Sequence, residues 1–486
     1  MGVIRDQSIK NSLSFYIGMA IGAINTVLIY PNVFKNQPEH WGLLTILVAY
    51  ATVLSTFSNL GMPQTVVRFF PAVKEKGQLF FLSLILPFVG FVSICSLSYI
   101  FKEELFIWLN ASSILQDNII YIFILLFFIS FYNVLNSISR SYLDSSTPIF
   151  LNEIFLKLYS LIILLIHGFK IIDFTTFLQL YILGFVSKFI ILIFIQVFKG
   201  NLYLNISLNM LKIREIIVYG LYVFVGGASV MLVTRLDMLM IGSMLDLKEV
   251  AYYTLAFYIG SAIKVPGKSI VSISMPLLAK AWENQDFKQI QMIYEKSSIN
   301  QFIVGGLLFL CIWINIDAIF SIIPDKFSEG KWVVFYIALA QIFNGLTGVN
   351  GAIIVNSKYY KYELITNVFL VFITLITNYF LINIYGIEGA AIATAISIFL
   401  FNFIRLILIK VKMGLQPFTL KTLFTFLILV LIYVIITYLP LSGNMYIDVI
   451  WKMFVVFLFF LPLLFTLELS EDINKIIVDF RKKVGI

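Results

Sequence analysis

The sequence predicts an all-α polytopic membrane protein, and three observations carry that prediction. Hydrophobic residues make up 60% of the 486 and charged residues only 12%, where a soluble domain carries about 25% charged. The apolar residues come in runs of roughly 20, the length one helix needs to cross the hydrocarbon core. The Lys and Arg residues between those runs concentrate on alternate loops, as positive charge does on the cytoplasmic side. No alternation of the barrel type occurs, so membrane strands are excluded.

Taken in order, the runs predict about 14 transmembrane helices, at 11–34, 41–61, 79–100, 118–139, 148–167, 175–198, 216–241, 250–275, 298–320, 332–356, 363–385, 388–409, 421–440 and 446–467. With both termini cytoplasmic, 21 of the 34 Lys and Arg lie inside, 6 outside and 7 within spans. A missed or invented span would invert the later loops and scramble that bias. The polar start MGVIRDQSIKNS has no small-residue cleavage site and reads as the lead into a retained first helix. Phe101–Asp117, with Trp108, reads as an interfacial helix, and Lys280–Ser297 and the tail 468–486 as short amphipathic surface helices. His40-Trp-Gly-Leu-Leu-Thr45 and Glu249-Val-Ala-Tyr-Tyr-Thr254, at an offset of 209 residues, suggest an internal repeat. The plan expected from it is a six-helix lobe at 1–200, a second at 201–412, two further helices at 413–467 and the tail. Repeated halves with a site between them are a common transporter plan.

Charge inside the membrane is the functional signal. Seven cations lie within spans. Arg405 and Lys452 sit close enough to span ends to snorkel. Lys188 is open to either snorkelling or cavity lining. Lys157, Lys264, Lys268 and Arg235 lie deeper, where each charge costs roughly 2.5–3.5 kcal/mol if it faces lipid. They are therefore expected to line a protein cavity. Lys264 and Lys268 stack on one helix face at a spacing of four, with Pro266 and Gly267 between them as an expected kink or hinge. Arg235 and Asp237 lie about 200° apart around their helix and are not a simple pair. Asp237 either bonds to a neighbouring helix or serves ion coupling. Glu153, one turn before Lys157, is placed to pair with it or to take that same coupling role. A cavity with more Lys and Arg than acid favours anions.

Several classes are disfavoured. The sequence has no Walker A stretch, no HExxH and no Gly-x-Ser-x-Gly. No loop is long enough for a nucleotide-binding or glycosyltransferase domain. The two cysteines, Cys95 and Cys311, fall within apolar runs and read as small buried hydrophobes. The histidines, His40 and His167, read as neither ligands nor bases. No metal, cofactor or nucleic acid is expected.

Asn59-Leu-Gly-Met-Pro-Gln-Thr-Val-Val-Arg68-Phe-Phe-Pro with Lys74-Glu-Lys-Gly77 resembles the helix 2–3 region of bacterial polysaccharide flippases. Arg235-Leu-Asp237-Met-Leu-Met-Ile-Gly242, Val250-Ala-Tyr-Tyr-Thr-Leu-Ala256, Met275-Pro-Leu-Leu278 and the Gly386–Ala391 turn extend the likeness over almost the whole chain. Together they resemble the O-antigen-type (Wzx-like) flippases of the multidrug/oligosaccharidyl-lipid/polysaccharide (MOP) exporter superfamily. That resemblance implies two pseudo-symmetric six-helix lobes around a central cavity, with two C-terminal helices added. It implies a transporter in the bacterial inner membrane that moves an undecaprenyl-diphosphate-linked glycan outward by alternating access, for O-antigen of lipopolysaccharide or another surface polysaccharide. The diphosphate would meet Lys157, Lys188, Arg235, Lys264 and Lys268. Membrane lipids, a polysaccharide polymerase and a chain-length regulator are the implied partners, and proton or sodium coupling is open. The multidrug branch relies on helix acids that are scarce here. The peptidoglycan-precursor branch places arginines in its first helices, and the first span here has none.

Overall fold

The apolar runs fold as helices in the computed structural model of the chain, which describes residues 2–203, 205 and 213–475, with no strand among them. In lipid the helix satisfies every backbone polar group within its own segment. Eleven helices are long and apolar enough to cross a membrane, or twelve if the bent pair Asp325–Leu346 and Asn350–Asn356 is one span. The expected count of fourteen is not reached on that measure, for two local reasons. The expected spans 363–385 and 388–409 are counted together in the 53-residue stretch Lys361–Met413, which is two helices meeting at a kink where the sequence divides them. At 1.5 Å per residue it would measure about 80 Å if straight, well beyond a bilayer core of about 30 Å. It is broken at Gly386, whose φ of 58° and ψ of −135° lie outside any helical region; glycine alone adopts that backbone readily. The expected span 250–275 is divided instead, into Leu247–Ser261, a 3₁₀ turn at Ala262–Lys264 and Val265–Glu283.

Contacts divide the chain into Met1–Leu255 and Ala256–Ile486. The lobe boundary expected at residue 200 falls within the first of these units.

The first unit comprises α1 (Lys10–Val33), α2 (Pro38–Asn59), α3 (Met62–Phe69), α4 (Lys76–Ile100), α5 (Ile120–Ser141), α6 (Ser146–Gly168), α7 (Phe174–Phe198), α8 (Ile213–Met244) and most of α9 (Leu247–Ser261). Helix α2 packs against α5 and α8, and α5 also packs against α7 and α3. The core between them holds Met62, Phe80, Leu135, Ile138 and Leu192, all buried. The Asn59–Pro71 motif is explained by its backbone. Leu60 and Gly61 both take positive φ (47° and 75°), which stops α2 and redirects the chain into α3. A Cβ on Gly61 would lie 2.1 Å from the carbonyl oxygen of Gly220, so α3 and α8 meet at a point where only glycine fits. The two stretches of the suggested repeat occupy the first turns of α2 and α9.

The second unit comprises α10 (Val265–Glu283), α11 (Phe287–Trp313), α12 (Lys331–Leu346), α13 (Asn350–Asn356), α14 (Lys361–Met413), α15 (Leu420–Thr437) and α16 (Met445–Thr466). Helix α12 packs on both α11 and α14, and α13 on α10 and α14. One core joins α11 to α15 and α16 through Phe302, Ile303, Ile432 and Phe460. A second gathers Leu278, Ile290, Tyr294, Ile353 and Ile409.

Surface segments differ from expectation where caps intervene. Lys280–Ser297 is not a separate helix but the ends of α10 and α11. Gln285 turns the chain at φ 55°, and Asp286 caps α11 by accepting from the Gln289 N–H at 2.9 Å. Phe101–Asp117 forms two short helices, Lys102–Trp108 and Ser113–Asp117, parted by Asn110 at φ 45°. The start of the tail is tied to α11 through Lys296–Glu471 at 2.9 Å and Asn300–Asp472 at 2.8 Å. Residues 476–486, and with them Arg481, Lys482 and Lys483, lie outside the described residues, as does Lys212.

Two outcomes test this packing. Gly61→Ala forces an L side chain into positive φ and against a backbone oxygen, and is expected to cost on the order of 2–3 kcal/mol. Thermal unfolding in detergent should show the loss, and Gly227→Ala, which meets nothing within 4 Å, should not. Between α5 and α6, Asp144 accepts from Lys199 Nζ at 2.6 Å and from the Thr147 N–H and hydroxyl at 3.1 and 2.9 Å. These bonds, against the opposing effect of burial, hold its carboxyl below the usual range. A depressed carboxylate contributes stability above its unfolded pKa and loses it as pH falls through the folded one. Asp144→Asn should therefore narrow the drop in melting temperature between about pH 6 and about pH 3.

Candidate functional site

Pro266 determines the local shape of the second unit. It supplies no N–H to the carbonyl of Ala262, four residues back, and its ring would clash with that oxygen. The chain responds with the 3₁₀ turn Ala262–Lys264, and α10 restarts with Pro266 in its first turn. The break expected at Pro266–Gly267 thus lies just before the proline. At Gly267 a Cβ would stand 2.6 Å from Gln301 Oε1, so the glycine is a close approach of α10 to α11.

A cavity of about 450 Å³ opens beside this break. Lys264 and Lys268 line it together, as their spacing of four predicts, and Arg405 of α14 lines it with them. Glu363 is the one carboxylate among the described lining residues, and Gln301, Gln341, Asn344 and Asn350 add amides. The expected small polar face of Gly345, Gly348 and Gly351 forms part of the same wall.

Arg405 corrects the sequence reading. It does not snorkel: it is 9% exposed, deep within the unit. Its guanidinium pairs with Glu363, stacks 3.7 Å over the Phe401 ring and approaches Asn350 Oδ1 at 3.5 Å. Asn350 is itself held. Asn402 Oδ1 accepts from Asn350 at 2.8 Å and from Thr347 Oγ1 at 3.0 Å, and Asn402 Nδ2 donates to Asn344 at 3.1 Å. A Cβ on Gly351 would lie 3.1 Å from Arg405 Nη1, so the glycine leaves room for the guanidinium. The missed signal was Asn402 and Arg405 at a spacing of three, a polar stripe on the inward face of a span.

The first unit gathers the other candidates. Residues Leu151–Phe155 form a π-helix, and Ile24–Ile29 of α1 form another. Such bulges recur at functional positions. Lys157 Nζ donates to Glu153 Oε2 at 2.8 Å and to the Gly18 carbonyl at 3.0 Å. Asn152 Nδ2 donates to Glu153 Oε1 at 3.1 Å, and Asn152 Oδ1 accepts from Lys188 Nζ at 2.9 Å. Lys188 is buried, 4% exposed, with the Tyr132 ring 4.4 Å away. One carboxylate therefore serves two lysines through a shared amide, and Lys188 does not snorkel. Arg235 and Asp237 part company, as their angular spacing predicts. Arg235 lies within electrostatic range of Tyr181, which neighbours Tyr30. Asp237 is buried and accepts from Tyr253 Oη at 2.7 Å on the neighbouring helix.

A family model described as polysaccharide biosynthesis protein matches residues 8–282, more than half of the chain. The chain belongs to that family. A search of curated proteins gives no match. Among solved structures, the lipid II flippase MurJ in an inward closed conformation aligns with 94% of this chain and 98% of its own at a TM-score of 0.77 and 16% identity. An inward-facing multidrug resistance MATE transporter of the MOP superfamily aligns with 82% of this chain and 94% of its own, at a TM-score of 0.60 and 15% identity. A Vibrio cholerae MATE transporter covers 85% and 98%, at 0.58 and 12%. Identities this low show the fold, which is that of the MOP superfamily. By their names, these structural neighbours are a lipid II flippase and multidrug transporters.

The amide network makes the positioning of Arg405 testable. Asn402→Ala removes four side-chain hydrogen bonds, those with Asn344, Thr347 and Asn350 and one to the Ile398 carbonyl, in a buried setting where interhelical bonds are each worth about 0.6–1.7 kcal/mol. A loss of about 2 kcal/mol in detergent-titrated unfolding is expected. Asn402→Asp, which keeps both acceptor bonds, should recover part of it.

Proposed function

We propose that the chain is a flippase that carries a polyprenyl-diphosphate-linked oligosaccharide from the cytoplasmic to the outer leaflet by alternating access, for surface polysaccharide biosynthesis. The carrying observation is the cavity of the second unit, where three cations face one carboxylate. A diphosphate oxygen about 4 Å from an ammonium gains on the order of 4 kcal/mol per charge pair at the effective dielectric of a partly wet site, before desolvation. Arg405 offers phosphate a planar fork of donors, and Lys264 and Lys268 offer point charges. The lining amides suit sugar hydroxyls or further phosphate oxygens. Family membership supports a polysaccharide precursor, and a neighbour of the same fold that is a lipid II flippase supports a lipid-linked one.

Lys157, Lys188 and Arg235 are proposed as further contacts of the anionic group during its passage. The reading includes an undecaprenyl carrier, O-antigen of lipopolysaccharide as the destination, a bacterial inner membrane with both termini cytoplasmic, and a polymerase and a chain-length regulator as partners. The competing reading, a cation-coupled exporter of small molecules, needs Asp237 or Glu153 as the ion carrier. Asp237 is engaged by Tyr253 and Glu153 by Lys157 and Asn152, which favours pairing roles. Under that reading Asp237→Asn abolishes drug efflux.

The test is leaflet exchange of a fluorescent polyprenyl-diphosphate sugar by the full chain in vesicles. Lys264→Ala/Lys268→Ala should lower the rate at limiting substrate by about tenfold or more, equivalent to about 1.4 kcal/mol or more. Unchanged exchange in that double variant overturns the diphosphate assignment.

A further inference from the structure

We infer that Glu363 is a built-in competitor of the transported anion: its carboxylate occupies Arg405 between transport events and is exchanged for a phosphate group of the substrate. The inference rests on the diphosphate reading and goes beyond it by naming how the site lets its cargo go.

Three observations carry it. First, Glu363 stands in the wall of a cation-lined cavity, where a site built for tight anion capture alone would hold no carboxylate. The pairing has a physical reason, since a guanidinium buried this deep needs a counter-charge whenever no ligand supplies one. Second, Arg405 is held from several sides independently of Glu363. Phe401 lies under its plane, Asn350 approaches Nη1, and the Asn402 network fixes Asn350. The guanidinium therefore keeps its place when its anionic partner changes. Its Nε, and Nε2 of Gln301 in the same wall, are buried donors without a hydrogen-bond acceptor among the described residues. Glu363 leaves both unserved. A phosphate group presents more acceptor oxygens than a carboxylate and suits the guanidinium fork.

Third, Glu363 has somewhere to go. It lies in the first turn of α14, where the helix N-terminus carries the equivalent of about half a positive charge and stabilises a carboxylate. Glu363 Oε2 accepts no hydrogen bond among the described residues, so the carboxylate is tied to Arg405 through Oε1. On exchange, Arg405 gains phosphate oxygens while the released carboxylate keeps its place at the helix N-terminus. Reversal of the same exchange expels the anion. Passage through a binding site requires attraction strong enough for entry and weak enough for exit, and Glu363 supplies the second condition.

The experiment uses the full chain in vesicles, with inorganic pyrophosphate as a competitor of fluorescent polyprenyl-diphosphate sugar exchange. In Glu363→Gln, pyrophosphate should inhibit at about tenfold lower concentration than in the native chain, and maximal exchange should fall several-fold because release is slowed. Glu363→Asp, whose shorter side chain holds Arg405 less well, should shift both in the same direction by a smaller factor and guards against misfolding of the Gln variant. A purely structural ion pair would lower the melting temperature without tightening pyrophosphate inhibition. Unchanged or weakened inhibition in both folded variants, with native inhibition intact and relieved by Lys264→Ala/Lys268→Ala, overturns the exchange and leaves the diphosphate reading standing. Pyrophosphate that competes with no form of the protein, together with unimpaired exchange in the double lysine variant, overturns both.

Discussion

The interaction on which the second unit depends is the burial of the Arg405 guanidinium. A charge that deep needs a counter-ion, and the surrounding sequence supplies one while leaving Nε without an acceptor among the described residues. Gly351 leaves room for it, Phe401 covers its face, and Glu363 at the start of the same long helix neutralises it. The break at Gly386 lets the two ends of that helix return to one another, so residues 42 positions apart form an ion pair. Asn402 then links Arg405 to α12 and α13 through Asn344, Thr347 and Asn350. The cavity wall is the exposed side of this polar assembly.

The first unit reaches a similar balance by different means. Its lysines are not in a cavity wall of amides but grouped around a π-helix, where one extra residue per turn re-aims Asn152 and Glu153. Glu153 pairs with Lys157 directly and reaches Lys188 through the Asn152 amide. The Lys157–Lys188 group and the Arg405 group thus each hold one carboxylate among the described residues. The result is charge compensated without a ligand.

Much of this was legible in the sequence, and what was not has identifiable causes. Helical membrane architecture followed from the apolar runs, and the face shared by Lys264 and Lys268 from a spacing of four. The Glu153–Lys157 pair and the separation of Arg235 from Asp237 followed from helix periodicity alone. Arg405 was misread because nearness to a span end was taken as access to headgroups, whereas Glu363, Phe401 and Asn350 enclose it. Glu363 was passed over for the same reason, as a residue at a helix start. The π-helices carry no composition signal, since one additional backbone residue in a turn changes no residue type. The surface helix expected at Lys280–Ser297 failed on two residues, Gln285 and Asp286, whose turn and cap divide it between α10 and α11.

On the proposed reading, a carrier of diphosphates inside a bilayer faces opposing electrostatic demands, and the arrangement around Arg405 offers one resolution. Uncompensated cations would cost several kcal/mol each when no ligand is bound, and would hold a multivalent anion too firmly to release it. Neutral walls would give the anion no reason to leave water. An internal carboxylate on a preset guanidinium meets both demands, because the cost of stripping water from the arginine is met once, in folding, rather than at each encounter with substrate. What the substrate must then supply is only the difference between two anions at the same fork. That difference can be small, and small differences reverse easily. In such a site the counter-ion matters as much as the cation, because together they determine how tightly the cargo is held.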